Sequence, residues 1–281
     1  MQESNSPRQA VVVGVDGSLA AIQAVRWAVV EAVSREAPLR LVAAVPQQVE
    51  PAPYASVGSL RMERDAGEAA LRRASAAARA AAAVRVKVET EVLLGDPATV
   101  LIAESRDAAM VCVGSVGIGR LARALLGSTA AEVAAGASCS VAVIRTQPSQ
   151  LKPDSNVIAV AVSESPGNDG VVERAIKEAQ LRHLPVLAVG AWRQDLGEMP
   201  YDELDRRVAV WEERYPDVHF HVVATRSGMV DFLGASDRRI QLAVIGSGDI
   251  DEVAGLIGPQ SHYFFGHAEC SVLIARRAHV I

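Results

Sequence analysis

Glycines stand at both ends of one short segment, residues 114–129, which reads GSVGIGRLARALLGST. Its small residues form one cluster directly after an apolar run and a second cluster that opens the next helix-like stretch: Gly114, Gly117, Gly127, Ser128 and Thr129. Glycine lets the main chain approach a ligand closely, and the free N–H groups at the start of a helix attract anions. The two turns could therefore hold different phosphates of one polyphosphate.

Two arginines, Arg120 and Arg123, lie between the clusters and could add charged hydrogen bonds to the same phosphates. The segment is not a Walker A loop, because the chain contains no Gly-Lys-Ser or Gly-Lys-Thr. It is not the dinucleotide fingerprint either, because Gly117 and Gly119 are not followed by glycine at position 122. A flexible strand–helix connection that binds no ligand is the alternative interpretation.

A second chemical candidate is Asp16, which ends the apolar run 10–15 and precedes Gly17 and Ser18. At the carboxyl end of a strand, this carboxylate could accept a hydrogen bond from an adenine amino group or from a ribose hydroxyl. The alternative is that Asp16 only caps the helix that follows, a position that aspartate favours. The two roles do not exclude each other.

The elements that must position these residues are an alternation of apolar runs and helix-like stretches. The predicted strands of the first half cover 10–15, 39–45, 84–94, 108–113 and 140–144. The run 84–94 alternates in part between apolar and polar residues, which indicates a strand nearer the edge of the sheet. This order predicts an α/β fold with helices on both faces of a parallel sheet, and such sheets bind ligands at the carboxyl ends of their strands.

The second half repeats the plan of the first after a linker-like segment, 146–156. Strands are predicted at 157–162, 185–191, 218–224, 240–245 and 271–275, and helices at 169–183, 200–215, 228–238 and 251–267. The ends of the two halves also match, since ASCSVAVIR at 137–145 aligns with AECSVLIAR at 268–276. We therefore predict two copies of one domain, residues 1–147 and 148–281.

Composition argues against several classes of function. A net charge of −5 without any block of lysine or arginine gives no general attraction for nucleic acid. No apolar run approaches the ~20 residues of a membrane helix. The three cysteines lie in or beside apolar runs, and the first residues lack the pattern of a signal peptide, so we expect a cytoplasmic protein.

Catalytic and metal sites are not expected from the remaining polar residues. His219 and His221 share one face of a predicted strand, as metal ligands could, but the spacing offers no third ligand. The G-x-S-x-G elbow of serine hydrolases is absent from the sequence.

Three motifs together resemble the universal stress protein family, in a tandem form. They are VGVDGS at 13–18, GDP at 95–97 and the pattern Gly114-x2-Gly117-x9-Gly127-Ser128. The resemblance implies two tandem, doubly wound, parallel five-stranded sheets of the Rossmann-like, adenine-nucleotide α-hydrolase type. It also implies that strand 140–144 pairs antiparallel with strand 271–275, which would make the chain an internal pseudo-dimer.

In that family the glycine pattern binds the ribose and phosphates of ATP. Adenine is contacted by the aspartate after the first strand and by main chain at the end of the second. Carried over, the resemblance implies an ATP site, with Mg²⁺ accompanying the nucleotide. Its expected residues are Asp16, Gly17, Ser18, Ala44, Gly114, Ser115, Gly117, Gly119, Arg120, Gly127, Ser128 and Thr129.

The second copy departs from this pattern. Ser163 stands at the position of Asp16, the first glycine cluster becomes Gly246-Ser-Gly-Asp249, and Gly258-Pro-Gln replaces the later turn. Proline offers no N–H group, and an aspartate would repel a phosphate. We therefore expect the second domain to bind ATP poorly or not at all; a preference for a less charged ligand is the alternative.

The resemblance implies an ATP-binding regulator of stress response or growth that acts through unknown protein partners. Any hydrolysis should be slow, because no general base and no Walker-type lysine are visible. Two alternatives remain at this point: a structural or interaction protein without a working nucleotide site, and a slow nucleotide hydrolase. A homodimer could form through another face of the chain.

Overall fold

The computed structural model describes residues 9–46, 57–82, 86–115, 127–146, 156–164, 167–191, 200–225, 229, 232–233, 236, 239–247 and 270–276. Within these ranges the chain forms ten strands and six helices. It divides into two compact units, with the boundary between Thr146 and Gln147.

The first unit is a parallel sheet whose strands alternate with helices along the chain. Its elements are β1 (Ala10–Gly14), α1 (Leu19–Ser34), β2 (Leu39–Val45), α2 (Val57–Ala81), β3 (Val88–Leu94), α3 (Pro97–Glu104), β4 (Ala108–Gly114), α4 (Ser128–Gly136) and β5 (Ser140–Ile144). The strands lie in the order β3-β2-β1-β4-β5. The order reverses between β1 and β4, and ligands of open α/β sheets bind at such a point.

Helices cover both faces of this sheet because successive side chains of a strand point to opposite sides. On one face of β2, Ala43 and Val45 lie against Gly67 of α2. On the other face, Arg40 donates from Nε to the Glu104 carboxylate of α3 at 2.7 Å. The buried core consists mainly of the valine, leucine and alanine side chains between these layers.

The second unit repeats this architecture. Its elements are β6 (Asn156–Val162), α5 (Asn168–Arg182), β7 (Val186–Ala191), α6 (Pro200–Arg214), β8 (Phe220–Thr225), β9 (Arg239–Gly246) and β10 (Ser271–Ala275). The order β8-β7-β6-β9-β10 matches that of the first unit, and all described pairings are parallel. The predicted α/β class with two parallel five-stranded sheets is confirmed. The predicted pairing of strands 140–144 and 271–275 stays a prediction.

The two units share features at a constant spacing of 147 residues (178 − 31) along their first helices. Glu31 and Glu178 are each only 1% exposed. A left-handed residue follows each helix within two positions of its end, Glu36 with φ 50° and His183 with φ 54°. The amide after each returns to the helix at equal length, from Ala37 to the Ala32 carbonyl (2.9 Å) and from Leu184 to the Ala179 carbonyl (3.0 Å). This agreement supports a duplicated domain.

Several predicted boundaries differ from the observed ones. The third strand begins at Val88, which pairs with Leu39, the first residue of β2. Residues 86 and 87 of the predicted strand 84–94 precede it, and positions 84 and 85 lie outside the described residues. In the first sheet β3 does lie at one edge, as its alternating pattern indicated. The helix predicted at 251–267 lies outside the described residues, and of the one predicted at 228–238 only Met229, Phe232 and Leu233 are described as helical.

Among the described residues, no helix has both the length and the apolar character needed to cross a membrane. The three cysteines, Cys112, Cys139 and Cys270, are buried and form no disulfide.

Candidate functional site

A cavity of about 360 Å³ opens in the first unit at the point where its strand order reverses. It is bounded by the carboxyl ends of β1, β2 and β4 and by the first turns of α3 and α4. The sequence-predicted residues that line it are Asp16, Ser18, Ala44, Gly114, Gly127, Ser128 and Thr129. Residues distant in sequence are thus gathered around one cavity, in the position that the parallel fold favours for a ligand.

The other predicted site residues do not line the described part of this cavity. Gly17 lies in the turn between Asp16 and Ser18, where its φ of 85° requires a residue without a Cβ. Ser115 is buried, and its amide donates to the Ile144 carbonyl at 2.8 Å. Gly117, Gly119, Arg120 and Arg123 lie outside the described residues.

Asp16 is exposed at the end of β1 and organises the turn into α1. Its Oδ1 accepts a hydrogen bond from the Ser18 amide at 2.9 Å. The N-cap of α1 is Ser18, whose Oγ accepts from the Ala21 amide at 3.0 Å. The alternative in which Asp16 is the helix cap is therefore wrong, because serine performs that function two residues later.

Gly114 is required by packing. A Cβ at this position would lie 2.7 Å from the main chain of Ala20 and Ala21, at the start of α1. Its φ is not in the left-handed region, and Gly127 is extended at φ −65° and ψ 149°. Gly114 lets α1 approach the end of β4, which brings the first turn of α1 to the cavity.

The first turn of α4 presents main-chain donors to the cavity. The amide of Gly127 donates to the Ser115 carbonyl at 2.7 Å, which ties the start of α4 to the end of β4. Gly127 is the N-cap and supplies no side-chain capping bond. The first N–H groups of a helix lack intrahelical partners, and Ser128, Thr129 and Ala130 all line the cavity. This turn can bind an anion, with a helix-dipole gain of about 0.3–1 kcal/mol.

Sequence reasoning missed the apolar wall of the cavity, which Pro97 and Leu101 of α3 form together with Val42. The motif at 95–97 was one of the three that carry the family resemblance, but its residues were not predicted to line a site. Asp96 caps α3 by accepting from the Thr99 amide at 3.0 Å, and Pro97 occupies the first turn, where proline is favoured. The sequence contains these helix-start residues, but only the fold brings α3 beside β1.

An ion-pair cluster holds this wall against the sheet. The guanidinium of Arg40 donates to Glu104 of α3 at 2.7 Å and to Glu91 of β3 at 2.6 Å. The hydrogen bond to Glu104 raises the pKa of Arg40 above its ordinary value, so the guanidinium stays charged throughout the physiological range. At the equivalent position of the second unit stands Leu187, which is fully buried.

The histidine pair considered from the sequence does not form a metal site within the described residues. His219 and His221 are both exposed, and no group of three potential metal ligands occurs in the described part of the chain.

Two segments of the chain, residues 7–145 and 155–276, match the model of the universal stress protein family. The chain belongs to the universal stress protein family. The matched segments coincide with the two repeated units, so both units carry the family's sequence pattern even though their strand-end residues differ.

Relatives named universal stress proteins align with nearly the whole chain. Universal stress protein Rv2624c of Mycobacterium tuberculosis is 46% identical over 270 residues, which cover 95% of this chain and 96% of the relative. Universal stress protein Rv3134c of the same species is 37% identical over 281 residues, which cover 98% of each. A universal stress protein structure from Archaeoglobus fulgidus covers 97% of both chains with a TM-score of 0.71 at 14% identity, which shows the fold alone.

Proposed function

We propose that the first unit binds ATP in the cavity between β1, β2 and β4, and that the chain acts in the cytoplasm as a nucleotide-dependent regulator of stress response or growth. The observation that supports this proposal is the arrangement around one cavity of a strand-end carboxylate, an apolar wall and a helix N-terminus: Asp16, Leu101 and Ser128. The carboxylate and the apolar wall suit the amino group and the ring face of adenine, and the helix N-terminus suits the phosphates.

The adenine would lie between Asp16 and the main chain of Ala44, against Pro97 and Leu101. A carboxylate accepts from an amino group, and an apolar wall suits the face of a purine ring. The cavity of about 360 Å³ is within the range of roughly 300–1,000 Å³ for small-molecule pockets.

The phosphates would lie at the start of α4, held by the amides of Ser128 and Thr129. The described lining residues include one carboxylate, Asp16, and no lysine or arginine. We expect the remaining positive charge to come from Arg120, on the segment of predicted phosphate contacts that also carries Gly117 and Gly119, and from a Mg²⁺ ion bound with the nucleotide.

Hydrolysis at this site would be slow at most. Among the described lining residues, the carboxylate of Asp16 is the one group that could act as a general base. Asp16 already accepts from the Ser18 amide, and in this proposal it lies at the adenine end, away from the phosphates. Signalling would therefore arise from the bound state of the nucleotide and from partner proteins that distinguish it.

Ligand-dependent stability of the full chain tests the proposal. ATP at a hundred times its Kd should stabilise the binding unit by about 2.7 kcal/mol, visible as a raised unfolding temperature. AMP, cyclic AMP and GTP form the comparison set, since a shorter or cyclic adenine nucleotide could be the true ligand. No shift with any adenine nucleotide would refute nucleotide binding and favour an interaction protein without a site.

A proline substitution separates main-chain recognition from helix stability. Ser128 is the first residue of α4, where proline is well tolerated, and the extended Gly127 before it is compatible with a following proline. Ser128→Pro removes one N–H donor, so ATP binding should weaken about tenfold or more while the fold is kept. Ser128→Ala keeps the donor and is the matched control. Equal affinities of the two variants would contradict the proposed phosphate site.

A further inference from the structure

The strand order of the second unit reverses between β6 and β9, the position equivalent to that of the cavity in the first unit. The amide of Ile158 donates to the Pro185 carbonyl, on the side of β7. Because main-chain groups of a strand alternate between its two edges, the carbonyl of Ala161 and the amide of Ser163 face the side of β9. In the first unit, the equivalent position of Ser163 is Asp16, at the mouth of the open cavity.

Asn168 fills this crevice with its own side chain. The Nδ2 of Asn168 donates to the Ala161 carbonyl at 2.9 Å, and its Oδ1 accepts from the Ser163 amide at 3.1 Å. The residue is only 4% exposed. The equivalent position of the first unit, 147 residues earlier, is Ala21, which is too short to reach those groups and lines the open cavity.

Arg207 of α6 completes the closure from the neighbouring helix. One guanidinium nitrogen donates to the Ser163 carbonyl at 2.9 Å, and the other donates to Asn168 Oδ1 at 3.4 Å and to Asp169 at 3.0 Å. The guanidinium also stands over the ring of Trp211, 5.3 Å from its centre. A single arginine thus joins α6 to the end of β6 and to the first turn of α5.

The first unit has alanine where Arg207 stands. Leu204 of α6 packs on Gly190 of β7, and Gly67 of α2 packs on Ala43, the equivalent position of β2. Three residues after Leu204 comes Arg207, and three residues after Gly67 comes Ala70, which is 3% exposed. In the second unit a large helix residue packs on a glycine of the strand, whereas in the first unit a glycine of the helix packs on an alanine of the strand. Ala70 is also too short to reach across the strand ends, as Arg207 does in the second unit.

We propose that Asn168 and Arg207 form an internal clamp that closes the strand-end crevice of the second unit, so that the chain binds one nucleotide, in its first unit. The expected number of one nucleotide per chain rests on the proposed function, in which the first unit binds ATP. A nucleotide entering the second crevice would have to displace Asn168, which would leave the buried Ala161 carbonyl and the Ser163 amide without their partners. The clamp therefore replaces the ligand with groups of the protein itself.

Hydrogen exchange of the full chain, with and without ATP, tests the clamp directly. The Ser163 amide should exchange slowly in the free chain, because it is bonded to Asn168, and ATP should not change its rate. The amides of Ser128 and Thr129 should become slower when ATP is added. Equilibrium dialysis should give one ATP per chain.

The outcomes separate the two proposals. Two ATP molecules per chain, or slowing of Ser163 by ATP, would overturn the clamp and leave the nucleotide site of the first unit standing. No bound ATP at all would overturn the proposed function. In that case the clamp is still judged by the Ser163 rate in the free chain, where rapid exchange would overturn it.

Variants identify the residues of the clamp. Arg207→Met keeps the packing over Trp211 but removes the donors, and we expect the Ser163 amide to exchange roughly tenfold faster. Arg214→Met on the same helix is the matched control, since Arg214 is 64% exposed and pairs with Glu173. Asn168→Ala should have at least the effect of Arg207→Met. Equal Ser163 rates in the Arg207→Met and Arg214→Met variants would overturn the role of Arg207.

Discussion

The two units present the same strand ends with opposite outcomes. Around β1 the small residue Ala21 lines a cavity of about 360 Å³, and the buried Ala70 stands where the second unit has Arg207. Around β6 the longer Asn168 and Arg207 bond to the strand end and cover it. The sheets have the same strand order, so the difference does not come from topology. An α/β sheet provides a crevice wherever its strand order reverses. In our proposal, the side chains at two positions decide whether that crevice receives a ligand.

The shared features of the units are those that hold the main chain in place. The amide after the β4 glycine, Ser115, donates to the Ile144 carbonyl at 2.8 Å, and Ser247 after β9 donates to the Ala275 carbonyl at 3.0 Å. These bonds keep the strand ends aligned in either unit. After duplication of a domain, such bonds are constrained by folding, whereas crevice side chains are free to change once binding is no longer needed.

The largest expected effect is on the packing of α1 against the end of β4, beside the cavity of the first unit. Gly114→Ala should destabilise the chain by about 3 kcal/mol, because the new Cβ would overlap the main chain of α1. Gly170→Ala in α5 is the control, since nothing lies within 4 Å of its Cβ position, and it should stabilise by about 0.5–1 kcal/mol. Urea unfolding measures both values. A loss below about 1 kcal/mol for Gly114→Ala would show that α1 adjusts easily.

The next effect separates the two strand-end residues, Asp16 and Ser163. Asp16→Ala should weaken ATP binding by about 2 kcal/mol, or roughly thirtyfold, since it removes a charged hydrogen-bond acceptor from the proposed adenine end. Ser163→Ala should leave the affinity unchanged, because its contacts with the clamp use main-chain atoms. Titration calorimetry measures both. A weaker affinity in Ser163→Ala would show that the second unit contributes to binding.

A smaller effect comes from the different starts of the first helices. Ser18 caps α1 with its side chain, whereas α5 begins after Gly167, which has a φ of 94° and no side-chain cap. Ser18→Ala and Gly167→Ala should each cost about 1 kcal/mol, the first by loss of the cap and the second by backbone strain. Thermal unfolding checks the pair. No change in Gly167→Ala would mean that the turn can relax to a negative φ.

The smallest effect tests the equivalence of the helix ends. Glu36→Gly and His183→Gly should each stabilise by about 0.5 kcal/mol, because glycine adopts the left-handed conformation without the penalty of a Cβ. Denaturant midpoints of the two variants, measured against the parent chain, give the comparison. If one variant were stabilised and the other destabilised, the surroundings of the two helix ends would differ even though their hydrogen bonds match.

Much of the fold was predictable because its signals are local. The apolar run at 10–15 predicted β1 and the run at 39–45 predicted β2, each within one residue of its observed bounds. The turn residues after each run indicated where the strand ends and the next helix-like stretch follows. The repeated ending at 137–145 and 268–276 predicted the duplication. The predicted start of the third strand was wrong. The observed start depends on where the neighbouring strand β2 begins, and the residues 84–94 carry no signal of that position.

The candidate site divides in the same way. Asp16, Gly114 and Ser128 were predicted from motif and position, and all three line the cavity. The packing requirement at Gly114 was not predicted, since the main chain that a Cβ would overlap belongs to a helix more than ninety residues earlier in the chain. The apolar wall formed by Pro97 and Leu101 was missed, because the sequence of α3 does not indicate that this helix packs beside β1.

By itself the sequence determined the α/β class, the repeat and the strand-end positions where chemistry is possible, because periodicity, turn residues and capping residues act within a few positions of the chain. Only the tertiary structure decided which of the two strand ends is bonded by side chains of neighbouring helices. That outcome depends on whether a side chain from another helix reaches the strand end, and Arg207 bonds to a residue 44 positions away. No local pattern records such a contact, since it exists only after α6 has packed beside β7.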